Sequence, residues 1–345
     1  MTTSLVTGGA GYFGETLVRK LLARGDNVIV FDLNEPGLVH PRLRSLKGDV
    51  CELRGMRAAT TTDVSIIYHN VAQVPLAKDP SLLWRVNRDG TENVLNAALE
   101  AGVQRFVYTS SSAVFGVPRD NPVTEGTIPT PMEDYGRTKY AGELVCHAFE
   151  NKGLEISIIR PRTILGHGRL GIFQVLFEWI YRGLNIPVIG QGDNIYQFVH
   201  AGDLANACIL AGNASRGGTY NIGALQSCTM RETLEDLIRH AGTKSRVRSV
   251  PKSLTKHGMR FTSWLGLSPL GAYHVLMYGE SLYFDISKAR SELGFAPTCS
   301  THEMFAESYD WYVVNRDDIL SGRLGGSKHK SALRQGLLRL VPYFI

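Results

Sequence analysis

The chain has 345 residues, 43% of them hydrophobic and 20% charged. These are globular values with ample core for one large α/β domain or two coupled lobes, and they exclude disorder, collagen and coiled coil. The net charge of +5 sits after Ser321, where Arg323, Lys328, Lys330, Arg334 and Arg339 meet no acid; the remainder balances at 32 basic and 32 acidic side chains.

Along the first half, short apolar runs alternate with longer stretches of helical period. Ser4–Thr7, Asn27–Phe31, Val64–Tyr68, Arg105–Thr109 and Glu155–Arg160 read as buried strands. Phe13–Arg24, Leu82–Ala101 and Asp134–Asn151 read as helices between them. That alternation implies right-handed βαβ units, hence a doubly wound parallel sheet of the Rossmann kind. From about Pro161 the rhythm changes: helices at Ile172–Arg182, Asp203–Ala211, Arg231–Ala241 and Thr301–Asn315 alternate with short strand-like pieces. The expectation is an α/β protein in which residues 1–160 are mainly the nucleotide-binding domain. Residues 161–320 then form a smaller interleaved substrate lobe, and 321–345 a basic amphipathic tail.

The first strand runs into TGGAGYFG at residues 7–14, where Gly8, Gly11 and Gly14 have GxxGxxG spacing and Tyr12 and Phe13 complete the loop. Gly8 permits a tight turn, Gly11 lets backbone approach a pyrophosphate, and Gly14 packs the helix on the sheet. Asp32 ends the next strand, 18 residues beyond Gly14, where a carboxylate accepts the adenosine ribose hydroxyls. No arginine follows at Leu33 or Asn34 to meet a 2′-phosphate, so NAD is favoured over NADP. Tyr135 and Lys139 form a YxxxK pair one helical turn apart, after a serine-rich turn, TSSSAVFG, at 109–116.

With GDV at 48–50, HNVA at 69–72, VNRDGTENVL at 86–95, RP at 160–161 and YFDISKARSELGFAP at 283–297, these motifs resemble the extended short-chain dehydrogenase/reductase family. The resemblance spans roughly residues 3–317 and takes in nucleotide-sugar epimerases, dehydratases and 3β-hydroxysteroid dehydrogenase-like enzymes. It implies that Asp49 and Val50 hold the adenine and that Ala72 lies beneath the nicotinamide side, with Val71 in place of the usual first alanine. Asn87 would order the carboxyl edge of the sheet, and Ser111 would be the catalytic hydroxyl, with Ser110 and Ser112 as rivals. Tyr135 would then be the acid–base, its phenol drawn towards neutrality by Lys139 and the nicotinamide charge. Lys139 would also hold the nicotinamide ribose.

Dehydratases of that family place Asp and Glu where this chain has Ser112 and Ala113, so dehydration is not expected. Epimerisation of a nucleotide sugar through a ketone ranks first. Dehydrogenation of a sterol-like or lipid alcohol is the alternative, because GDNIYQFVHAGD at 192–203 lacks the usual diphosphate-binding arginine and Thr163 replaces an asparagine. A non-catalytic NAD-binding module is a lesser reading.

Five scattered cysteines without a CxxC pair fit a reducing compartment. No signal-peptide pattern and no run of 18 apolar residues occurs, so a cytoplasmic protein is expected. His69, His167 and His200 read as packed or solvated, and no metal is expected. The resemblance suggests a homodimer through Leu82–Ala101 and Asp134–Asn151. Nucleic acid is not an expected partner. Residues 331–345 carry Leu333, Leu337, Leu340, Val341 and Phe344 at helical spacing, which suggests peripheral contact with an anionic membrane. The basic, aromatic-rich segment 243–279 reads first as a substrate-lobe helix pair with a solvated basic side, and it also favours a lipid-linked or sterol-like substrate.

Overall fold

The structure is a computed structural model that describes residues 2–74, 79–251 and 279–323. The strands in chain order begin with β1 Thr3–Thr7, β2 Asn27–Asp32, β3 Leu43–Lys47, β4 Val64–His69, β5 Arg105–Thr109 and β6 Glu155–Pro161. Short strands follow: β7 Thr163–Leu165, β8 Ile186–Ile189, β9 Ile195–Tyr196, β10 Phe198–His200, β11 Gly218–Ile222, β12 Cys228–Thr229 and β13 Val247–Val250. Seven of them make one sheet in the order β11-β6-β5-β4-β1-β2-β3, with every neighbouring pair parallel. The order reverses between β1 and β4, which opens a crevice at the carboxyl ends of those strands.

Both faces of this sheet are covered, which is why its central strands are nearly continuous apolar runs. Val6, Val28, Val30, Tyr68 and Val107 pack under helices α1 Tyr12–Arg24 and α7 Ala201–Asn213. Leu5, Ile29, Phe31, Ile67 and Phe106 pack under α2 Leu53–Ala59, α4 Gly90–Glu100 and α5 Asp134–Glu150. Helix α1 stops at Gly25, whose left-handed φ of 97° lets its N–H reach the carbonyls of Leu21 and Leu22.

Among the elements that were not expected are β3, α2 and β11. Strand β3 is an edge with three exposed and no fully buried residues, so its pattern carries little apolar signal. The helix expected over Leu82–Ala101 is interrupted. Helix α3 Pro80–Trp84 passes into a π turn at Arg85–Asp89 before α4 begins.

Helices α6 Ile172–Tyr181, α8 Met230–Ala241 and α10 Thr301–Leu320 build a second core around Phe173, Phe177, Phe198, Phe305 and Tyr312. Capping boxes start two of them, Thr229 with Glu232 and Ser300 with Glu303. The second half also returns to the main sheet, giving it α7, β11 and the helix α9 Ser287–Leu293 that packs beside β11. The two halves of the chain are thus interleaved. All five cysteines are free. Among the described residues, no helix is long and apolar enough to cross a membrane. The 331–345 tail and most of the 243–279 segment lie outside the described residues.

Candidate functional site

The site grows from the crevice at the carboxyl ends of β1, β4, β5 and β6. At the end of β1 the glycine loop is tightly packed. Gly8 has φ 73° and lies so near residue 71 that a Cβ would meet the Val71 nitrogen at 2.9 Å. A Cβ on Gly14 would meet the Gly8 carbonyl oxygen at 2.0 Å. Gly11 is the N-cap of α1 and offers no side-chain hydrogen bond, so the amides of the first turn face the crevice uncapped. Asp32 closes the loop from β2: one carboxylate oxygen accepts from the Ala10 N–H at 3.1 Å, the other from Asn34 at 3.0 Å. Asp49 accepts from the Cys51 N–H at 2.9 Å. Val50 is buried against Gly90 at the start of α4. Tyr12 and Phe13 are buried as well, the Tyr12 hydroxyl without a partner.

Asn87 sits in the π turn and is fully buried. Its amide oxygen accepts from the Gln73 N–H at 2.7 Å, and its nitrogen donates to the Gln73 carbonyl and to Thr138 Oγ1, both at 3.0 Å. One side chain therefore ties the loop holding the half-buried Ala72 to α5, and the extra residue of the π turn is what aims it there.

Helix α5 starts at Glu133, whose carboxylate accepts from the N–H groups of Tyr135 at 2.8 Å and Gly136 at 2.6 Å. A Cβ on Gly136 would meet the Ala113 carbonyl oxygen at 2.4 Å, so only glycine lets this turn press against the serine turn. That contact sets Ser111 close enough to the Tyr135 phenol to lower its pKa, while Ser111 Oγ accepts from the Ala113 N–H at 3.2 Å. The neighbouring serines are engaged elsewhere. Ser110 donates to Glu143 at 2.5 Å, and Ser112 accepts from Arg162 at 2.7 Å. Glu143 also holds Arg160 at 2.9 and 2.6 Å, a buried pair that fastens α5 to β6.

Lys139 lies one turn beyond Tyr135, 1% exposed, with Nζ 4.2 Å from the centroid of the Tyr108 ring. Burial pulls its amine down to about 7, against the opposing pull of Cys146 and Glu143. The Tyr135 phenol is pushed up to about 12, again chiefly by burial, while Ser111 and the Arg169 charge draw it down. In the protein alone the phenol therefore stands far from the neutrality expected of it, and a further cation must overcome that burial.

Arg169 is a second cation near the phenol. Its guanidinium lies 5.5 Å from the Tyr12 ring centroid, its Nε is buried without a partner, and it acts on both Tyr12 and Tyr135. Glu133 was missed altogether; its only signal was an acid just ahead of a helix.

His69 is packed, as expected, between Thr7 Oγ1 at 2.6 Å and Thr91 Oγ1 at 3.0 Å, and burial pulls it down to about 3. His200 and His167 converge on a carboxylate that the sequence alone does not place beside them. Both approach Glu307, at 3.3 and 3.0 Å, and the ligand atoms of His200, Glu307 and Cys299 lie within 4.8 Å of one another. His200 Nδ1 accepts from the Gly202 N–H, which puts the ring proton on Nε2 facing Glu307, in a donor role rather than that of a metal ligand. A cavity of about 670 Å³ beside them is lined by His167, Cys299, Glu307 and Trp311 and by none of Ser111, Tyr135 or Lys139.

Tyr196 stands at the position of the missing diphosphate arginine, and Gln197 beside it is buried and engaged at both ends of its amide. Gln197 donates to the Ala224 carbonyl at 2.7 Å and accepts from the Phe284 N–H at 2.9 Å. Thr163 is paired with the Tyr196 hydroxyl at 2.9 Å.

Residues 4–223 match the NAD dependent epimerase/dehydratase family. The chain belongs to that family. It is 30% identical to a 3-beta-hydroxysteroid dehydrogenase of Mycolicibacterium neoaurum over 92% of this chain and 93% of that one. With a UDP-glucose 4-epimerase of Mycolicibacterium smegmatis it shares 31% identity over 66% of this chain and 79% of that one. Its fold is similar to that of DesIV, a dTDP-glucose 4,6-dehydratase from Streptomyces venezuelae solved with NAD bound. The TM-score is 0.76 at 27% identity, covering 92% of this chain and 98% of that one. Like other members of the family, the chain is an enzyme whose cofactor is NAD, and the close-packed glycine loop, open helix terminus and Asp32 suit that dinucleotide.

Proposed function

We propose that this enzyme transfers hydride between a secondary alcohol and NAD, with Tyr135 as acid–base, Ser111 holding the substrate oxygen and Lys139 supporting the phenolate. The observation that carries this reading is that Ser111 lies near enough to the Tyr135 phenol to draw its pKa down, while Ser110 and Ser112 are engaged by Glu143 and Arg162. Bound NAD supplies the hydride acceptor. The glycine loop and the α1 terminus would hold its diphosphate, Asp32 its adenosine ribose, Asp49 and Val50 its adenine. Ala72 and Asn87 would border the nicotinamide half, and Lys139 would hold the ribose there. In alcohol oxidation Tyr135 takes the hydroxyl proton, which Ser111 shares in passing. In the reverse direction the phenol returns it.

Of the two reactions open to such a site, net dehydrogenation of a lipid or sterol-like alcohol is the better supported. Tyr196 and Thr163 stand where nucleotide-sugar enzymes grip a diphosphate, and here they are hydrogen-bonded to each other at 2.9 Å. Epimerisation is the second reading, favoured by Arg169, whose unpartnered Nε is a cationic donor near the glycine loop. Cofactor stoichiometry separates them. A dehydrogenase accumulates one NADH per ketone formed, whereas turnover with no added NAD and no ketone released would establish the epimerase. Leu99 on α4 and Leu144 on α5 are exposed apolar residues, and we extend the proposal to a dimer through these helices. A sedimentation mass equal to the monomer would count against it.

A further inference from the structure

Arg162 directly follows the Arg160–Pro161 pair at the end of β6, and its side chain is 1% exposed. Nη1 donates to Ser112, the neighbour of Ser111. The guanidinium lies 4.5 Å from the Tyr196 ring centroid and 5.6 Å from that of Phe284. Nε and Nη2 are buried and have no hydrogen-bond partner. Two other arginines show what that edge normally does. Arg160 presents Nε and Nη2 to both oxygens of Glu143, and Arg316 presents the same pair to Glu178. For Arg162 no described carboxylate takes that place.

A buried cation without a counter-ion is destabilising, and an apolar side chain of similar volume packs at no such cost. The Nε–Nη2 fork matches the geometry of a carboxylate or phosphate. We propose that Arg162 binds an anionic substituent, a carboxylate or a phosphate ester, carried by the substrate beside the carbinol held at Ser111 and Tyr135. This rests on the alcohol oxidation proposed above and narrows its substrate class to acidic alcohols. It also explains Ser112: where dehydratases of the family place an acid, this chain has a hydroxyl that can lie beside a guanidinium without neutralising it.

The test uses the NAD-loaded enzyme and two matched probe pairs. One is a nucleoside-diphosphate hexuronate against the corresponding hexose. The other is a hydroxysteroid bearing a carboxylate on the ring carbon next to its hydroxyl, against its methyl ester. Calorimetry reads affinity and NADH absorbance reads turnover. The expected result is a preference of about 10- to 100-fold for the acidic member of one pair, the size of a charge-assisted hydrogen-bond pair. Which pair shows it identifies the scaffold. Arg162→Met should abolish the preference without lowering the melting temperature, since it removes an unpaired buried charge. Arg162→Lys should restore part of it. Equal affinity within both pairs, failure of both acids to bind, or a preference undiminished in Arg162→Met would overturn the proposal. NADH formed from neutral members without acid preference would leave the alcohol oxidation standing. Acid-selective binding without NADH would do the reverse.

Discussion

Burial sets the resting state of Tyr135: with its phenol at about 12, very little phenolate exists near neutral pH in the free enzyme. Oxidation of an alcohol should therefore speed up as pH rises, since the base form grows roughly tenfold per unit below the pKa. Arg169 is among the groups that draw this phenol down. Arg169→Met should move the rising limb of the kcat/KM profile to higher pH, and an unmoved limb would show that Arg169 does not act on the phenol. At this scale the pair Tyr135 and Lys139 was legible because helical period puts them on one face. The choice among Ser110, Ser111 and Ser112 was not. It depends on Glu143 and Arg162, which lie 33 and 50 positions away from the serines they hold.

Helix α5 is aimed by its ends and by its contacts along the way. Glu133 caps the first turn, Gly136 lets that turn touch the serine turn, and Glu143 fastens the helix to Arg160 on β6. Glu133→Ala should cost about 1 kcal/mol of stability, the usual worth of an N-cap. It should also lower kcat more than it raises KM, because the Tyr135 N–H is one of the groups the cap holds. Glu133→Gln keeps an acceptor oxygen and should recover much of both; a kcat untouched by Glu133→Ala would mean the cap serves folding alone. The doubly buried strands were legible as apolar runs, and α1 as a clean amphipathic stripe. Edge strand β3 was not, because it buries neither face fully. The break in the expected Leu82–Ala101 helix was equally hidden: a π turn adds one residue to the spiral without changing which residue types are suitable, yet it positions Asn87.

Across the whole molecule, the layers are joined by buried polar side chains as well as by apolar cores. His69 links β1 through Thr7 to α4 through Thr91, and its ring stacks 5.8 Å from Tyr108 on β5. Its pKa falls from 6.5 to about 3 on burial, so the unfolded chain binds a proton across that window which the folded protein refuses. Stability from this residue is complete above pH 6.5 and declines as pH falls towards 3, by about 1.4 kcal/mol per pH unit. Denaturant titrations below pH 6.5 should show a shallower decline for His69→Gln than for the wild type. Identical slopes would place the acid sensitivity elsewhere. The parallel sheet was readable from strand–helix alternation, but its seventh strand, β11, lies some 57 residues beyond the end of β6 and only tertiary pairing with that strand reveals it.

The central claim is that Tyr135 carries the proton in hydride transfer while NAD binding depends on other residues. A single-turnover measurement of NADH formation, run on wild type and Tyr135→Phe beside an NAD titration of each, tests it most directly. The account predicts a rate loss of about 10²–10⁴-fold with nearly unchanged NAD affinity. A Tyr135→Phe enzyme that retains more than roughly a tenth of the wild-type rate, a loss far smaller than removal of a general base causes, would contradict it.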